Sequence, residues 1–156
     1  MDPAVSHDLS LLLRLLVAAG LTGLIGWERE AQGKAAGFRT HMLVGVSAAL
    51  FMILGEVMLQ RYPAADGSSR LDVSRVLEAV VAGVSFLGAG TIFVSRGQGV
   101  RGLTTAASLL AAAGVGVAVG LERYLLAVGT TLLLLLILEV LGWFEGARAG
   151  AGDAER

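Results

Sequence analysis

Charged side chains inside long apolar runs are the residues of this sequence best placed to do chemistry, because each is costly in hydrocarbon and calls for a partner or a water-filled cavity. Two groups stand out. The first is Arg14, Glu56 and Glu78, one base between two acids, all at similar depth once the apolar runs are stacked side by side. A buried salt bridge, or snorkelling of Arg14 to the membrane surface, is its plainest use. The second group gathers where runs end and begin: Glu28, Arg29, Glu30, Lys34, Arg39 and His41, then Arg96 and Arg101, with Glu139 a little over one turn inside the last run. Glu28 and Glu30 are two residues apart, so on one helix only one of them turns toward a bundle interior. Thr40, Thr104 and Thr105 sit at the starts of runs, where hydroxyls suit the capping of free backbone N–H groups and the positive helix end suits an anion. Anchoring to anionic lipid accounts for Lys34 and Arg148 without further chemistry.

Other chemistries are excluded by what is missing. The sequence has no cysteine, two histidines far apart, no phosphate-binding loop, no paired His–Glu metal box and no Ser–His–Asp set. It therefore reads as a protein that is not an enzyme. Carboxylates and hydroxyls are the hard ligands on offer, so a bound metal would be magnesium held largely through its waters, with its ligands unknown. A net charge of −1 recruits no nucleic acid.

The elements that must position these groups follow from composition. Of 156 residues, 55% are apolar and only 16% charged, against roughly a quarter charged in soluble domains. A helix needs about 20 apolar residues to cross a bilayer, and five stretches qualify: 9–27, 41–59, 76–94, 104–121 and 125–144. The expected fold is an all-α polytopic membrane bundle, one transmembrane domain over 1–144 followed by a short tail over 145–156. The first run follows Asp2 and Asp8 with no basic residue, unlike a signal peptide. Basic residues number seven on one side (Arg29, Lys34, Arg39, Arg96, Arg101, Arg148, Arg156) and four on the other (Arg61, Arg70, Arg75, Arg123). The positive-inside rule then puts the N-terminus outside and the C-terminus in the cytoplasm. Trp27, Trp143, Tyr62 and Tyr124 fall at span ends, as aromatic belts do. The fourth run, rich in Ala and Gly, suits the middle of the bundle.

Small residues recur at helical spacing: Gly20, Gly23 and Gly26; Ala79 and Gly83; Ala112, Gly116 and Gly120. In lipid such stripes favour close helix–helix approach, within a subunit or across a homodimer, and a homo-oligomer, a dimer first, is the expected assembly. Gly37-Phe38-Arg39-Thr40 and Gly99-Val100-Arg101 with Thr104 lead into the second and fourth runs, which suggests a parallel internal repeat.

Three blocks resemble the MgtC/SapB family of bacterial inner-membrane proteins: 23–41 (Gly-Leu-Ile-Gly-Trp-Glu-Arg-Glu through Gly-Phe-Arg-Thr-His), 83–92 (Gly-Val-Ser-Phe-Leu-Gly-Ala-Gly-Thr-Ile) and 100–108 (Val-Arg-Gly-Leu-Thr-Thr-Ala-Ala-Ser). Together they cover about residues 10 to 120. Carried over by position, the motif residues are Glu28, Arg29, Arg39, Thr40, Gly88, Gly90, Arg101, Gly102, Thr104 and Thr105. Ala79 stands where the family often has Gln, and Ser85 where it has Gly before the Phe. The resemblance implies growth in low magnesium, survival of some pathogens in phagocytes, and restraint of the proton-driven ATP synthase. The sequence ends soon after the fifth run without the soluble C-terminal domain of many relatives, so a function needing that domain is expected to be absent or supplied by another protein. Two readings result. The first is a magnesium or divalent-cation homeostasis protein, with a cytoplasm-facing ion site at Glu28, Arg29, Arg39, Thr40, Arg101, Thr104 and Thr105. The alternative is a regulator that binds another membrane complex, such as the ATP synthase. Glycines 23, 26, 83, 88, 90, 116 and 120 are the expected packing positions.

Overall fold

The computed structural model describes residues 3–61, 73–95 and 99–153, with side chains over 5–61, 73–94 and 99–140. Tyr62, Arg70, Arg96 and Arg156 lie outside the described residues, as do the side chains of Trp143, Phe144 and Arg148. Five helices, α1 (Pro3–Ala31), α2 (Phe38–Arg61), α3 (Val73–Gly90), α4 (Leu103–Gly120) and α5 (Tyr124–Asp153), form the all-α polytopic bundle that the apolar runs imply. The first four are long and apolar enough to cross a membrane by length and composition, and α5 carries an apolar stretch over Tyr124–Val140.

The third helix stops short of its expected edge. Gly88 and Gly90 are poor helix formers, and the last turn tightens as Thr91 N–H donates to Gly88 O at 2.9 Å. The β-branched and aromatic run that follows pairs instead as a hairpin, β1 (Phe93–Ser95) against β2 (Gly99–Arg101), antiparallel with Phe93 opposite Arg101. Gly102 then turns the chain into α4 at φ 90°, and a Cβ there would lie 1.9 Å from Thr91 O, so no other residue fits. The proposed repeat is not matched residue by residue: Arg39 falls in the first turn of α2, whereas Arg101 ends a strand.

Helix α4 packs on all four other helices and lies at the centre, with 61% of its residues buried against 17% in α3. Its small side chains explain this. At Gly116 a Cβ would sit 2.2 Å from Gly45 O, and at Gly120 one would sit 2.9 Å from Ala49 O, so α2 and α4 meet backbone to backbone. Since lipid is as apolar as leucine, that close contact, more than burial of large side chains, holds helices together in a membrane. Around it two apolar clusters close the middle of the bundle. One joins Ala48, Met52, Val84, Leu109 and Ala113, the other Ile25, Ala49, Val115, Val119 and Ala127. Large apolar side chains such as Leu16, Leu43, Phe86 and Leu125 point outward, where bilayer would lie. Of the expected packing glycines, Gly23, Gly26, Gly88, Gly116 and Gly120 meet neighbouring elements, while Gly83 and Gly90 face open space.

Candidate functional site

The charged side chains held within the bundle sit toward its two ends. At one end Arg14, whose side chain is 11% exposed, bridges two carboxylates. Its Nη1 is 3.2 Å from Glu56 Oε2 of α2, and its Nη2 contacts Glu122 Oε1 in the turn between α4 and α5. Of the expected trio the structure brings Arg14 and Glu56 together, while Glu78 is exposed and Glu122 makes the second contact. The reason lies in packing. Helix α3 touches α2 and α4 and presents the Glu78 side away from them, whereas the α4–α5 turn closes over α1. Glu122 has φ 60°, the left-handed C′ position of a helix end that usually takes glycine. The bonds Glu122 N–H to Val119 O, 3.0 Å, and Arg123 N–H to Ala118 O, 2.8 Å, are those of a Schellman ending.

The opposite end is built differently. Gly26 brings α1 onto the start of α2, where a Cβ would lie 2.8 Å from Phe38 Cα. Trp27 and Phe38 meet edge to face at 6.2 Å, and Phe38 N–H donates to Glu30 Oε2 at 2.8 Å, so a carboxylate from α1 caps α2. Behind this seam lies His41, fully buried. Its Nδ1 is 2.9 Å from Gly37 O and its Nε2 3.0 Å from Ser108 Oγ, while Ser108 Oγ is 2.9 Å from Thr105 O. Two of those acceptors are carbonyls, so the three contacts need three hydrogens. A neutral imidazole and one hydroxyl supply two, so the Ser108 hydroxyl is shared between His41 Nε2 and Thr105 O.

Arg29 shares this end, 2% exposed and near enough for its charge to act on His41. Its Nη1 is 3.6 Å from Glu28 Oε2. Its Nε and Nη2, and Glu28 Oε2, have no hydrogen-bond partner among the described residues. Glu28 otherwise takes Gln32 Nε2 through Oε1.

Of the seven expected site residues, Arg29 and Thr105 are buried and Glu28 nearly so, whereas Arg39, Thr40, Arg101 and Thr104 are exposed at the same end. Glu139 is exposed on α5. The threonines do not cap: the N-cap of α4 is Gly102, with no side-chain bond. Ser108 is the member that residue-by-residue reading passed over. Its signal was the polar pair Thr105 and Ser108, three apart, on the stripe that continues through Ala112 and Val115.

A family model described as the MgtC family matches residues 15–147. The chain is 44% identical over 133 residues to the "Putative magnesium transporter YhiD" of Escherichia coli (strain K12), covering 83% of this chain and 59% of that protein. It is 39% identical over 124 residues to the "Protein MgtC" of Salmonella typhimurium (strain LT2), 80% of this chain and 49% of the relative. An uncharacterized protein of Haemophilus influenzae is 33% identical over 123 residues, 79% of this chain and 52% of that protein. The chain thus spans about half to three-fifths of the length of these curated relatives. No solved structure matches.

Proposed function

The chain belongs to the MgtC family, and from that premise we propose that it serves magnesium homeostasis by acting on another membrane complex, not by conducting the ion itself. It is a multi-pass protein of the bacterial inner membrane. The process rests on the family and on the name carried by its Escherichia coli relative. The end holding Arg29 and His41 faces the cytoplasm on this reading, as the distribution of basic residues favours.

One observation carries the choice of regulator over channel. Between the two charged ends, Ile25, Met52, Leu109, Val115 and Val119 are each at most 2% exposed, and they close the middle of the bundle, where an ion crossing within one chain would have to pass. The hydroxyls at that depth are spent locally: Thr22 donates to Ala18 O at 2.7 Å and Thr131 to Ala127 O at 2.9 Å. Magnesium gives up its waters reluctantly, so it needs a wide polar route. The buried cation Arg29 also opposes it at one mouth.

The test reconstitutes the protein in liposomes holding a magnesium-sensitive dye, beside a preparation with ATP synthase. Dye signal equal to that of empty liposomes, with reduced ATP-driven proton pumping when the protein is added, is the expected result. Magnesium influx that Glu28→Gln abolishes would establish transport and sink the regulator reading.

A further inference from the structure

An arginine nine-tenths buried beside apolar helices rarely keeps donors idle, because each unmet polar group in such surroundings keeps its full desolvation penalty. The two idle donors of Arg29 are Nε and Nη2. These lie on the same side of the guanidinium, the face that takes two oxygens of one carboxylate or phosphate side by side. The third nitrogen, Nη1, is turned toward Glu28. One complete bidentate face is therefore buried without a hydrogen-bond partner among the described residues.

Among the described residues its surroundings are also short of negative charge. Helix α4 begins nearby with no acidic residue in its first turn and no side-chain cap, so its first N–H groups keep the partial positive charge of a helix start. His41, at the same end of the bundle as Arg29, contacts Ser108 in the second turn of that helix. Around the rim Lys34, Arg39 and Arg101 are exposed. Against them stand Glu30, already committed to Phe38 N–H, exposed Glu139, and Glu28, one of whose oxygens has no hydrogen-bond donor.

We propose that Arg29, with the start of α4, forms a binding site for a phosphate-type oxyanion at the His41 end of the bundle. Two oxygens of the anion take Nε and Nη2, and the exposed basic rim draws it in. The same chemistry is offered by free inorganic phosphate and by the headgroup of an anionic lipid at that face. The site stands whether or not the chain moves an ion or binds a partner complex.

The test follows thermal unfolding of the whole chain in phosphatidylcholine nanodiscs while inorganic phosphate replaces chloride at constant ionic strength. A saturable rise in Tm, lost in Arg29→Lys and kept in Arg61→Ala at the far end of α2, is expected, since lysine keeps the charge but not the two-pronged face. A rise that needs phosphatidylglycerol in the disc instead of free phosphate, and is again lost in Arg29→Lys, assigns the site to the headgroup. Equal responses of wild type and Arg29→Lys to both sources, or no response to either, overturn the proposal. Should Arg29→Lys not fold, Glu28→Gln carries the test, because it keeps the bidentate face and removes the acid beside it. Its half-saturating concentration of phosphate, or its phosphatidylglycerol requirement, falls several-fold, and an unmoved value overturns the site.

Discussion

Helix α1 carries one buried arginine toward each end of the bundle, and the two are treated in opposite ways. Arg14 is shared between Glu56 and Glu122, two carboxylates from two other elements, each about half exposed. Arg29 is more deeply buried, has one glutamate at 3.6 Å, and leaves two donors unmet. The Arg14 end is held by charge. The Arg29 end is held by close backbone approach at Gly26, by the Trp27–Phe38 contact and by the His41–Ser108 bond. An ion pair that ties elements together belongs to architecture, whereas a buried cation without its counter-ion is the sort of group on which a ligand acts.

The sharpest way to break the comparison is at Gly26. A methyl there meets Phe38 Cα at 2.8 Å and Gly37 O at 2.9 Å, backbone that cannot swing aside. Gly26→Ala is expected to cost about 3 kcal/mol, the upper part of the overpacking range, read as a lower midpoint in SDS or thermal unfolding. Gly20→Ala, two turns earlier with nothing within 4 Å, serves as its control and gains about 1 kcal/mol from helix propensity. Equal effects of the two would mean that the seam at this end is not what holds it.

The arginines themselves give effects of opposite sign. Arg29→Met combined with Glu28→Gln removes a buried ion pair of poor geometry, and without an oxyanion the double change is expected to stabilise by about 2 kcal/mol, as replacing such pairs does. Arg14→Met strands Glu56 and Glu122, but both reach solvent, so the loss is about 1 kcal/mol and shrinks in high salt. Measured by unfolding in one detergent at two salt concentrations, a loss at Arg29 equal to that at Arg14 would erase the distinction between the ends.

Much of this was legible in the sequence, for reasons that differ by residue. Five apolar runs with so few charges leave little but a membrane bundle, and the Ala-Gly content of α4 marks it as the central helix. Arg14 and Glu56 follow from depth alone. What depth cannot supply is rotation about the helix axis. A soluble helix betrays its buried face by hydrophobic periodicity, but in lipid both faces are apolar, so nothing in the run around Glu78 says that it points outward. Glu122 escaped because it lies between runs, where a charge looks like ordinary loop. Its partner is set by the α4–α5 turn. Arg39, Thr40, Arg101 and Thr104 were grouped with Arg29 by motif, and the structure leaves them at the same end but on its surface.

The smallest effect tests whether Glu122 is there for its charge. Its left-handed backbone, at φ 60°, costs a non-glycine residue about 1 kcal/mol, while its pair with Arg14, more than half exposed on the acid side, returns about 0.5 kcal/mol. Glu122→Gly relieves the backbone and loses the pair, for a net gain of about 0.5 kcal/mol. Glu122→Gln keeps the backbone cost and loses the pair, so it falls below wild type by about 0.5 kcal/mol and below the glycine variant by about 1 kcal/mol. In high salt the wild type moves down toward the glutamine variant, because the pair is screened and the backbone term is not. A glycine variant weaker than the glutamine one would reverse this order. It would show that the turn depends on the side chain packing over Arg14 and Leu121, and the end described as held by charge would then be held by shape, like its counterpart.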